Sequence, residues 1–144
     1  MEQRVTMITL GVADLERAGT YYAALGWKQA AESQPGITFY QLHGQVLGLF
    51  PLAELARDQG REGAKLGFGA MNLAYNLNNP EEVDGAYNDA LTAGATSLKA
   101  PEKVFWGGYS CYVADPDGHV WEYAYNPFAP LAVDGTLTLP SEAG

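Results

Sequence analysis

The sequence predicts an α+β protein of two tandem βαβββ modules, whose eight strands form a curved, mainly antiparallel sheet with the helices outside. Three observations predict it. The hydrophobic period switches from two to about 3.6 and back, twice along the chain. Each helical stretch carries its own start and stop residues. The order strand, helix, then three strands recurs after a glycine-rich connector. The expected boundaries are 4–50 for module one, 51–70 for the connector, 71–127 for module two and 128–144 for a tail, all within a single domain spanning 1–144.

In the first module, Val5–Val12 alternates as a strand and the pattern then turns helical, with Leu15, Ala18, Tyr22 and Leu25 on one face. Asp14 is placed to cap the helix start and Gly26 to end it. Of the adjacent Tyr21 and Tyr22, one ring is expected in the core and the other at the rim. Three strand-like runs follow, "WKQAAE", "GITFYQL" and "QVLGLF", the last two joined by a turn at His43 and Gly44. Pro51 then opens a short amphipathic helix in the connector.

The second module begins with a strand at Met71–Leu77. Its helix is capped by Asn79, opened by Pro80, supported by Glu82 in capping-box position and closed by Gly94. The runs "ATSLKA", "YSCYVA" and "HVWEYAY" complete it, the last two separated by the turn "DPDG". The tail, rich in proline and small residues, reads as an extended strap with a frayed end.

With 144 residues, 47% hydrophobic, the chain can bury about two-thirds of its unfolded surface without a staple. Its one cysteine, Cys111, allows no internal disulfide and is expected as a buried strand thiol. No signal-peptide pattern precedes the first strand, so a cytoplasmic location is expected. No apolar run approaches the roughly 18 residues of a membrane span. Seventeen acidic against eight basic residues give a net charge of −9, which repels phosphate backbones and anionic lipid, so neither nucleic acid nor membrane is an expected partner. P-loop, nucleophile-elbow and dinucleotide fingerprints are missing, which removes support for phosphoryl or hydride transfer.

One residue resists a purely structural account. Glu122 stands among Val120, Trp121 and Tyr123, where an unpaired buried charge is costly. Strand alternation puts Val120, Glu122 and Ala124 on one face and Trp121 and Tyr123 on the other. If the aromatic pair packs on helices, Glu122 points into the concavity of the sheet. His119, three residues earlier, faces the other way and reads as a turn residue, as does His43.

Two modules with "MITLGVADLERAGTYYAALGW" at the front and "FWGGYSCYVADPDGHVWEYAYNP" at the back resemble the vicinal oxygen chelate superfamily, which contains glyoxalase I, bleomycin-resistance proteins, fosfomycin-resistance enzymes and extradiol dioxygenases. The resemblance implies the glyoxalase-like fold and a homodimer. In metal-using members one ligand comes from the first and one from the last strand of each module, and those positions fall here on Met7, Gly48, Asn72 and Glu122. Only Glu122 is an ordinary ligand, whereas a catalytic divalent ion generally takes at least three His, carboxylate or thiolate donors. No metal and no other cofactor is therefore expected.

The function expected from these residues is the binding of a small organic molecule in an aromatic-lined cavity. Thr9, Asn72, Asn76 and Glu122 would be its polar anchors, Trp106 and Tyr109 its aromatic walls, and Met7 and Gly48 part of its lining. The paired glycines of "FWGGYS" either let a flat ligand approach the backbone or mark a bend in the sheet. The alternative is a lyase or isomerase of the glyoxalase type with Glu122 as general base, metal-free or with metal held by other ligands. Asn72, Tyr109 or backbone amides near Gly107 and Gly108 would then stabilise the developing oxyanion.

Overall fold

Seven strands and three helices follow one another as β1 (Met7–Val12), α1 (Leu15–Ala24), β2 (Thr38–Gln41), β3 (Val46–Pro51), α2 (Leu52–Asp58), β4 (Asn72–Leu77), α3 (Pro80–Ala93), β5 (Thr96–Lys103), β6 (Tyr109–Ala114) and β7 (Val120–Tyr125). The structure, a computed structural model, describes residues 1–139. The frayed end expected of the tail lies outside them. Contacts divide the described residues into two units, Met1–Ala70 with Asp115–His119, and Met71–Ala114 with residues 120–139.

In the first unit the sheet order is β1-β3-β2, with β1 parallel and β2 antiparallel to β3. Leu10, Val12, Leu47, Leu49 and Tyr40 share one face and are buried together with Ala18, Tyr21 and Tyr22 of α1. The helix starts where Asp14 accepts a hydrogen bond from Arg17 N–H (3.0 Å), and Gly26 follows its end at φ +90°. Both capping residues thus act as their chemistry dictates. The expectation of one rim tyrosine is corrected, since both Tyr21 and Tyr22 are buried. Tyr22 packs against Trp27 and Tyr40, with ring centroids 5.3 and 5.8 Å away, and its hydroxyl donates to Asp115 (2.7 Å). A phenol reaches the interior cheaply when such a partner waits for it.

The strand expected at "WKQAAE" is absent, so the first module is βαββ. Trp27 is drawn into the aromatic cluster under α1, and its backbone N–H donates to Tyr22 C=O (3.0 Å). Ala30 N–H still reaches Phe39 C=O (2.8 Å), but no ladder forms along the segment. α2 lies on the opposite face from α1. A Cβ on Gly11 of β1 would come within 2.7 Å of Leu52 and 3.1 Å of Leu55. Glycine is what lets this helix approach the strand.

In the second unit the order is β4-β7-β6-β5, with β4 parallel to β7 and the other pairs antiparallel. α3 begins at Asn79, whose side chain accepts from Glu82 N–H (2.8 Å), while the Glu82 carboxylate accepts from Asn78 N–H (2.9 Å). This is the expected reciprocal cap moved one residue outward at its return bond. Gly94 closes the helix at φ +118°. Replacing Asn79 by alanine should cost about 1 kcal/mol of stability, measurable by urea unfolding.

Which face α3 covers is settled by two hydroxyls. Tyr109 of β6 donates to Asp84 (2.7 Å), and Tyr87 of α3 donates to Ser97 of β5 (2.8 Å). Tyr109, Cys111, Val113, Trp121 and Tyr123 therefore face α3, and the last four are buried. The alternate residues face away from it.

Candidate functional site

The face of the second sheet turned away from α3 carries the acid that the sequence singles out. Glu122 on β7 lies opposite Ala74 on β4 and Tyr112 on β6, and Tyr112 in turn lies opposite Lys99 on β5. One row across the sheet therefore reads Ala74, Glu122, Tyr112, Lys99. Along the strand, Glu122 is flanked on the same face by Val120 and Ala124. Asn72 and Asn76 stand on this face too, opposite Val120 and Ala124 respectively. Trp121 and Tyr123 anchor β7 in the core, which is why an acid between them is forced outward.

The Tyr112 hydroxyl donates to the Glu122 carboxylate, and both residues are partly buried. That bond, together with burial and the negative charge beside it, holds the Tyr112 phenol above its ordinary pKa, so it stays protonated. Lys99 is paired with Glu102 (2.8 Å). Tyr112 and Lys99 were not singled out from the sequence. The signal for Tyr112 was nevertheless there, because folding β6 onto β7 about the "DPDG" turn brings residue 112 against 122.

The aromatic wall is built differently from expectation. Tyr109 faces α3 and is committed to Asp84, so it is not on the Glu122 face. Trp106 sits in the turn joining β5 to β6, where Val104 N–H donates to Gly108 C=O and Gly107 N–H to Val104 C=O, both at 3.0 Å. Its indole lies over Gly108, where a Cβ would come within 1.9 Å of the ring. Gly107 adopts φ +98° with the Phe128 ring beside it. The paired glycines thus make a tight turn, and the Gly107 amide is already used. Phe105 is the fully exposed aromatic here.

Met7, Thr9 and Gly48 share the face of the first sheet turned away from α1. Thr9 lies opposite Gly48, and Met7 opposite Val46. Gly48 is covered by the Phe39 ring, and a Cβ there would meet it at 3.4 Å. In each unit the first-strand and last-strand positions of the expected ligand set are offset diagonally in the same way, Met7 with Gly48 and Asn72 with Glu122. As donors they amount to a thioether, an absent side chain, an amide and one carboxylate that already holds a phenol. This set does not fit a catalytic divalent ion. Among the described residues no group of three or more His, Cys, Asp or Glu is placed to hold one.

The remaining titratable residues of the motif have structural partners. Asp115 is buried and accepts from Tyr22 Oη, Asp117 N–H (3.0 Å) and His119 N–H (2.9 Å). Asp117 accepts from Ala13 N–H and from Arg17, both at 2.8 Å. His119 Nε2 is 2.6 Å from Gly11 C=O, and its ring packs edge-on against Phe68. Burial pushes the Cys111 thiol up to about 11. It should therefore resist thiol reagents in the native state at pH 7 and react after unfolding, which a colorimetric thiol assay checks.

A family model for the Glyoxalase/Bleomycin resistance protein/Dioxygenase superfamily matches residues 4–123. The chain belongs to that superfamily. Among solved structures, the chain is similar to a glyoxalase-related enzyme from Fulvimarina pelagi, with 37% identity over 97% of this chain and 100% of that one at a TM-score of 0.89. A glyoxalase/bleomycin resistance protein/dioxygenase from Nocardioides matches at 26% identity, covering 87% of this chain and 84% of its own at a TM-score of 0.69. Lactoylglutathione lyase from Agrobacterium tumefaciens, at 20% identity, 87% and 95% coverage and a TM-score of 0.67, shares the fold. No match is found among curated proteins. The α+β, glyoxalase-like architecture read from the repeat is that of the superfamily, and no helix among the described residues is long and apolar enough to cross a membrane.

Proposed function

We propose that this superfamily member binds a small organic molecule without a metal ion, anchored by Glu122. The carrying observation is that Glu122 stands on the face away from α3 with its carboxylate held by the Tyr112 phenol. Asn72 and Asn76 supply further hydrogen-bonding groups along β4, and the metal-ligand positions carry only one hard anionic donor. Met7, Thr9 and Gly48, on the corresponding face of the first unit, are proposed as ligand-contact surface. A homodimer in the cytoplasm, without nucleic-acid or membrane partners, is part of the same proposal. The −9 charge supports the last two exclusions.

One observation favours catalysis as a second reading. Glu122 as base and Tyr112 as a neighbouring proton donor would serve a metal-free lyase or isomerase, and the relative from Fulvimarina pelagi is a glyoxalase-related enzyme. Binding ranks above it because two of the oxyanion donors foreseen, Tyr109 Oη and the Gly107 amide, are committed to Asp84 and Val104.

The test is elemental analysis of untagged protein purified without chelator, followed by titration with zinc, nickel, iron and manganese. Little or no tight uptake is expected. About one metal per chain at micromolar affinity or better, lost in Glu122→Ala, would overturn the metal-free reading.

A further inference from the structure

Resting on the binding role just given to this face, we propose that the Glu122–Tyr112 pair recognises the edge of a planar lactam or imide, in which a ring N–H and a C=O stand side by side. The row across the sheet is polarised. The Glu122 carboxylate accepts, Tyr112 next to it donates, and Lys99 beyond Tyr112 is held by Glu102. A ligand that meets this row places its N–H over Glu122 and its carbonyl toward Tyr112. Adjacent strands are about 4.8 Å apart, and the carboxylate and phenol lean together into contact, so the two ligand groups must be neighbours on one ring. The phenol then exchanges its bond to Glu122 for one to the ligand carbonyl, while the ligand N–H takes the vacated carboxylate oxygen. No buried donor is left unmade.

The surroundings suit a flat ring. Of the other three positions around Glu122, Ala74 and Val120 carry compact side chains that stay accessible, while Ala124 is buried, so a ring lies over the Ala74 and Val120 side of the acid. A simple organic cation would pair with Glu122 while Tyr112 keeps the bond it already makes to the carboxylate, so the phenol would add nothing to its recognition. The pair therefore selects for adjacent donor and acceptor rather than for charge, and Tyr112 is the residue that sets this specificity.

Three probes decide the matter in chelator-treated, ¹⁵N-labelled protein followed by NMR titration: 2-quinolone, N-methyl-2-quinolone and benzamidine. 2-Quinolone should shift amides of β6 and β7. N-methylation, Tyr112→Phe and Glu122→Ala should each weaken binding at least tenfold, in variants whose circular dichroism matches the wild type. Equal binding of the N-methyl compound, unchanged binding to Tyr112→Phe, or no binding of 2-quinolone up to its solubility would overturn the lactam assignment. Benzamidine binding alone, lost in Glu122→Ala, would also overturn it while leaving the binding role of the face intact. The metal titration tests the metal-free reading of that face separately.

Discussion

Replacing Asp115 by alanine should destabilise the protein by about 3 kcal/mol, read as a drop in the urea midpoint at unchanged slope. Asp115 is 3% exposed and gathers three donors, the Tyr22 hydroxyl and the backbone N–H groups of Asp117 and His119. Alanine takes the acceptor from all three at once. Asparagine keeps one carbonyl oxygen able to accept and should recover about half of the loss. An alanine variant within about 0.5 kcal/mol of wild type would show that the "DPDG" turn is held by its backbone alone.

Trp121→Ala should cost about 3–5 kcal/mol, whereas Glu122→Ala, one residue along the same strand, should cost no more than about 1 kcal/mol. The indole is 6% exposed on the face covered by α3, so its removal leaves a cavity. The carboxylate is only partly buried, and water can take over the Tyr112 hydroxyl that it releases. This contrast separates a residue kept for packing from one kept for binding. If Glu122→Ala were as damaging as Trp121→Ala, the acid would be a structural anchor and its functional role would lose its support.

Those two neighbours also show what could be read in advance. Alternation put Trp121 and Glu122 on opposite faces, and the packing of Trp121 and Tyr123 against α3 then decides which of the two faces inward. The caps at Asp14, Asn79 and Gly94 were equally legible, since each depends on a single residue's local chemistry. Features that depend on contacts distant in sequence were not. Trp27 sits in a run of strand character, but Tyr22 and Tyr40 claim its ring, and α1 buries both Tyr21 and Tyr22 where one rim ring is expected. Tyr109 is expected at the site both as an aromatic wall and as an oxyanion donor, although its position in β6 turns it toward α3 and Asp84. Tyr112, three residues on, faces the other way and was overlooked because its partner is ten residues further along the chain.

The central claim is that the face carrying Glu122 binds a small organic molecule with no metal ion. Its most direct test is a fragment screen by NMR on ¹⁵N-labelled protein stripped with chelator, repeated on Glu122→Ala. Fragments that shift amides of β4, β6 and β7 in the stripped wild type and not in the variant are the predicted result. Fragments that bind there only after zinc, nickel, iron or manganese is restored would contradict it.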